Sequence, residues 1–303
     1  MSRCSAVCDG VGFSVWDYCL LRSGACLFAP RQVKRGRRTG AIERLATQRS
    51  FTIVGVPIFT PEEREELRAE LVSGARNDPN ISGAAHIGSA ASARLDGWSD
   101  IDLALCLNPV ASYEQVVTTW TDLMYQRYDA VDHVDVMRGA TLFRVFLLRT
   151  TLQVDVAFWR AEDFGAIGPN FQLIFGEAKT LPPLPTPDAH ALIGMAWLYA
   201  LHVRSSVARG RLLQAEYMLS GMRNHVFELT CLRCDVIARQ GRGLDDLPAT
   251  ERATAGACLP GELEPAALKR AFENTMETLL KEIRHIDGGL ENRVAGVLRE
   301  ISR

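Results

Sequence analysis

Two aspartates one residue apart, Asp100 and Asp102, interrupt an otherwise apolar run of Ile101, Leu103, Leu105 and Leu107. Side chains alternate faces along a strand, so both acids point one way while their apolar neighbours face a core. Carboxylates held side by side repel, and burying them costs on the order of several kcal/mol unless a cation lies between them. A divalent metal is the simplest remedy, and a set of oxygen ligands favours a hard ion such as magnesium. A tight turn, Gly88-Ser89, stands shortly before the pair. The arrangement points to a chain built to hold a metal and a phosphate.

A third acid fits the same logic. In the segment 152–158, Leu152, Val154, Val156 and Phe158 alternate with Gln153, Asp155 and Ala157. The first four read as core, which leaves Asp155 on the other face among apolar neighbours. On a nearby strand it would complete a cage begun by Asp100 and Asp102.

Around these residues the pattern is that of an α+β domain. Thr60-Pro61-Glu62-Glu63 opens a helix to about residue 75, with a cap, a first-turn proline and acids in the first turn. A short strand over 83–87, the Gly-Ser turn and the Asp100–Asp102 strand follow. A helix is expected over 112–128, then strands over 131–137, 142–148 and 152–158. The expected fold is a small mixed sheet with helices on one face. Residues 181–187, Leu-Pro-Pro-Leu-Pro-Thr-Pro, read as a stiff linker. Beyond it the apolar spacing is helical over 189–206, 212–239 and 265–286, so a C-terminal helical bundle is expected over 188–303. The catalytic domain is assigned to 51–180. Residues 1–50 lack periodicity, hold four of the eight cysteines and carry a basic run (Arg31, Lys34, Arg35, Arg37, Arg38); they read as an irregular or disordered extension.

The Gly88-Ser89 turn, the gap to Asp100-Ile101-Asp102-Leu103 and the later Asp155 together resemble the signature of the polymerase-β-type nucleotidyltransferase superfamily. With the helical half behind the core, the layout is similar to that of bacterial aminoglycoside and lincosamide nucleotidyltransferases. The resemblance implies that Gly88 and Ser89 hold the phosphates of a nucleotide and that Asp100, Asp102 and Asp155 hold two magnesium ions. It implies transfer of a nucleoside monophosphate, AMP from ATP, to a hydroxyl of a small acceptor such as an aminoglycoside-type antibiotic, with resistance as the outcome. Two rivals remain: modification of a protein or RNA partner, as in antitoxin-like members, and a non-catalytic nucleotide binder on the same fold.

Other site candidates follow from position. Arg94, between the motif halves, reads either as a phosphate contact or as a surface cation. Asp135 is a candidate base on the sheet, or a surface acid ending a strand. Glu216, Ser220 and Arg223 recur at i, i+4 and i+7. That stripe reads as a solvated helix face, or as a wall of the acceptor site with Glu216 as base or ligand for a cationic acceptor. His133 and His225 read as structural. Cys231 and Cys234 have half a zinc-site spacing but read as small apolar residues on a helix. Formal net charge is −2, which speaks against a protein whose main task is gripping nucleic acid. No sequence run has the length and apolarity of a membrane span. A cytoplasmic protein is therefore expected, with no membrane or stable nucleic-acid partner. The sequence leaves its oligomeric state open.

Overall fold

The computed structural model describes residues 59–303 apart from 92–94, 167, 169 and 184. The N-terminal extension, its basic run and Arg94 lie outside the described residues. The chain divides into two compact units, with the boundary between residues 184 and 185.

In the first unit, Thr60 caps α1 (Pro61–Asn77). Its hydroxyl accepts from the Glu63 N–H while Glu63 accepts from the Thr60 N–H, so two donors of the first turn are satisfied reciprocally. Strand β1 (Ile81–Ile87) leads into the four-residue turn of helix α2 (Gly88–Ala91), and β2 (Ile101–Leu107) carries Asp102. Ser112 caps α3 (Tyr113–Arg127). Three longer strands follow: β3 (Ala130–Arg138), β4 (Thr141–Leu148) and β5 (Gln153–Trp159). The short β6 (Gly165–Ala166) pairs with β8 (Lys179–Thr180), and between them lies β7 (Phe171–Phe175).

The main sheet has the order β3-β4-β5-β2-β1-β7. Its pairs are antiparallel except β2 with β5, so the sheet is mixed. The anticipated core residues of β2 and β5 pack with Leu71 and Ala75 of α1 and with Val116, Trp120 and Met124 of α3. The opposite face carries a smaller cluster, including Ala85, Ala104, Phe143, Ala157 and Phe164. β7 was not anticipated. Phe171-Gln-Leu-Ile-Phe175 shows no clean alternation of apolar and polar residues, and it pairs only with β1, at the sheet edge.

The second unit, Pro185–Arg303, is helical: α4 (Ala189–Ala208), α5 (Leu212–Arg233), α6 (Ala249–Ala257), α7 (Pro265–Ile286) and α8 (Gly288–Ser302). Helix α5 stops six residues before the end expected from its apolar spacing. Cys234 caps it, and Asp235 turns the chain with a φ of 54° while the Val236 N–H returns to the Cys231 carbonyl. Helices α6 and α8 were not anticipated. The core is built from Ala196, Ala200, Leu219, Met222, Met276 and Leu279, among others. Among the described residues no helix is long and apolar enough to cross a membrane.

Candidate metal centre

Register brings the acids together. In the parallel pair of β2 and β5, Asp102 lies directly beside Asp155. Asp100 stands one residue ahead of β2. Ligand oxygens of Asp100, Asp102 and Asp155 all lie within 4.8 Å of one another. Among the described residues this is the one group of three or more acidic, histidine or cysteine side chains gathered so closely. Cys231 is buried in α5 and Cys234 is the residue that caps it.

Gly88 bounds the site on the β1 side. Its φ is +67°, a left-handed conformation that a side chain disfavours. A Cβ there would fall on Asp102 Oδ2. The turn thus approaches the carboxylate as closely as only glycine allows. Ser89 follows it on α2.

The loop before Asp100 is fixed from α1. Arg64 is 3% exposed, and its guanidinium donates to the carbonyls of Asp96 and Ser99, the latter at 3.1 Å. Asp96 accepts from the Trp98 N–H, and Ser99 Oγ accepts from the Asp96 N–H. Ser99 acts locally, shaping the turn that delivers Asp100.

Asp155 is the buried member of the three acids. Burial pushes its carboxyl up from the usual value near 3.8 to about 7; Gln153 hydrogen bonding opposes this, the Asp100 charge adds to it, and Arg138 opposes it. Gln153 is a residue that sequence reasoning missed. Its Nε2 donates to Asp155 Oδ1 at 2.9 Å and to Asp100 Oδ2 at 3.2 Å. The available signal was its position two residues before Asp155 on an alternating strand.

Asp135 is not brought to this cluster. It pairs with Arg144 across the β3–β4 ladder, and Arg144 stands opposite Val156, a core residue of the helix-covered face. The Arg144 guanidinium grips both Asp135 oxygens at 2.6 Å and reaches Thr121 of α3. That grip holds the Asp135 carboxyl below the usual carboxylate range. It is a structural ion pair on the wrong face for a base at the triad.

Glu216 belongs to the second unit. Its partner is Arg223, at 2.8 Å on the same helix, and Arg223 is only 6% exposed. The stripe is therefore not a solvated face at its Arg223 end. His133 accepts or donates a hydrogen bond with the Tyr125 hydroxyl at 2.7 Å, and His225 lies against the Tyr199 ring, as expected of structural histidines.

Fold and site together define a class: a mixed sheet with helices on one face and three gathered aspartates beside a glycine turn on the other. No family model matches the sequence, and no curated protein matches it. Solved structures similar to the chain include an aminoglycoside 6-adenyltransferase from Bacillus subtilis, at 12% identity and a TM-score of 0.36, over 79% of this chain and 97% of that one. A nucleotidyltransferase-like protein from Exiguobacterium sibiricum 255-15 is similar at 12% identity and a TM-score of 0.30, over 75% and 77%. The polymerase core of TRAMP, an RNA surveillance complex, is similar at 16% identity and a TM-score of 0.28, over 72% and 60%.

Proposed function

We propose that the chain is a magnesium-dependent nucleotidyltransferase that moves a nucleoside monophosphate, AMP from ATP, onto a hydroxyl of a small acceptor. One observation carries this reading: the carboxylates of Asp102 and Asp155 on two parallel neighbours, and of Asp100 just ahead of β2, converge within 4.8 Å, against a glycine whose missing Cβ leaves room at Asp102. Oxygen-only donors at this spacing suit a hard divalent ion, with Asp100, Asp102 and Asp155 as its holders. Bound there, magnesium would supply charge neutralisation for the attacking and leaving oxygens of an in-line displacement. In that displacement the acceptor oxygen bonds to the α-phosphorus, the α–β bridging bond breaks, and pyrophosphate and the acceptor proton leave.

The chain's own residues supply the positioning. Gly88 lets the backbone approach Asp102, and the Gly88-Ser89 turn would hold the phosphates. Arg64 keeps Asp100 in place through the 96–99 turn. Asp155, buried and sharing its surroundings with Asp100, gives up its proton most readily when a cation replaces water beside it.

Labelled ATP, magnesium and a pool of hydroxylated compounds, aminoglycoside-type antibiotics among them, test the reading. The expected result is pyrophosphate release with one adenylate added to a small molecule. Label on a protein instead would favour the partner-modifying alternative. Nucleotide binding without pyrophosphate release across the pool would favour a non-catalytic binder.

A further inference from the structure

Gln153 opens β5 directly after a tight connection. Thr151 holds a φ of 66°, its N–H returns to the Leu148 carbonyl at 2.9 Å, and the Leu148 N–H donates to the Leu152 carbonyl at 3.0 Å. The turn therefore sets where Gln153 leaves the sheet. Cross-strand it faces Leu147, on the face that bears Asp155.

A carboxamide nitrogen carries two N–H donors. Here Nε2 spends one on each of two acids, Asp155 at 2.9 Å and Asp100 at 3.2 Å. The amide is oriented with Nε2 toward both acids, which pairs its donors with carboxyl oxygen acceptors. The two acids sit on different elements, one on β5 and one in the loop ahead of β2, so nothing covalent holds their separation. Gln153 is the strap between them.

We propose that Gln153 keeps both hydrogen bonds when a divalent ion is held by Asp100, Asp102 and Asp155, and that by fixing the span between Asp100 and Asp155 it sets the preference for a small octahedral ion over calcium. The inference rests on the metal-centred reading above. Magnesium and manganese take short, near-octahedral oxygen bonds, whereas calcium takes longer bonds in flexible shells. A cage with a strapped span fits the former, and a slack cage loses that advantage. Residues that orient ligands from behind are worth about 10- to 100-fold in metal affinity. Gln153 is a positioning residue in this scheme.

The test uses the full chain, Mn2+ read by electron paramagnetic resonance and Ca2+ by displacement of bound Mn2+, so the ratio of affinities is the readout. Wild type is expected to favour Mn2+. Gln153→Leu removes both donors, and Mn2+ affinity is expected to fall about tenfold or more while Ca2+ affinity falls less. Gln153→Glu keeps the size, adds charge and cannot donate; both ions are expected to bind more tightly, again with a reduced ratio. A side chain that merely filled space would leave the ratio of Gln153→Glu at the wild-type value. An unchanged ratio in both variants, with wild type binding Mn2+, overturns the proposal alone. Absence of Mn2+ binding to wild type overturns the proposed function and the proposal with it.

Discussion

Asp155 shows what the sheet does to one side chain. Its folded-state proton is held to about pH 7, against 3.8 in an unfolded chain, because burial disfavours the charge. A raised folded value means that its contribution to stability is whole below about pH 4 and is lost as the pH rises through about 7. In chelator-treated buffer, thermal denaturation is therefore expected to shift to lower temperature between pH 5 and pH 8 (on the order of that window). Asp155→Asn should flatten this dependence, and magnesium at the upper end should restore the wild type. Asp102 and Asp155 were legible in the sequence because alternation assigns their faces, whereas Asp100 stands just ahead of β2, where the 96–99 turn places it. Gln153 was legible only in part: alternation puts its amide on the face of Asp155, but only the fold brings Asp100 within its reach.

At the scale of elements, the β3–β4 ladder explains the different fate of Asp135. Alternation splits β3 into two faces but does not say which one meets Asp155; the ladder register does, with a shift between Ala130 and Asp132. Pairing with Arg144 then commits Asp135 to the helix side. β7 escaped notice for a related reason, because an edge strand of unalternated apolar residues looks like any short apolar run. The end of α5 was equally hidden, since apolar spacing continued past the Cys234 cap. Helix α1 yields a prediction of its own. Arg64→Leu removes two charged hydrogen bonds to the 96–99 turn, each worth about 1.5–3 kcal/mol. Chemical denaturation should show a loss of about 3 kcal/mol or more, and Mn2+ should bind more weakly because Asp100 loses its fixed approach. Unchanged metal affinity in that variant would mean that the turn holds itself.

For the molecule as a whole, each unit has its own core. The coarse division, strands before the proline-rich segment and helices after it, could be read from the change in apolar period. Helices α6 and α8 could not be, and neither could the polar network under α6. There Glu282 of α7, fully buried, accepts from Arg233 at 2.8 and 2.9 Å and from Thr230 at 3.0 Å. Arg233 also reaches Glu251, which Lys281 holds at 2.8 Å. Removing one member of a buried pair costs about 3–5 kcal/mol. In Glu282→Ala, amide exchange should accelerate in α5 and α7, with Mn2+ affinity retained because Asp100, Asp102 and Asp155 are all in the first unit. Loss of Mn2+ binding in that variant would show the two units to be energetically inseparable.

The central claim is that Asp100, Asp102 and Asp155 hold the divalent ions of a nucleotidyl transfer. Mn2+ binding, followed by electron paramagnetic resonance with a non-hydrolysable α,β-methylene ATP analogue present, tests it most directly. Wild type is expected to bind Mn2+ with the analogue strengthening the binding. Asp102→Asn should lose the signal change while keeping its thermal unfolding midpoint, and Gly88→Ala should weaken binding by displacing the Asp102 carboxylate. Equal Mn2+ binding by wild type and Asp102→Asn would contradict the claim.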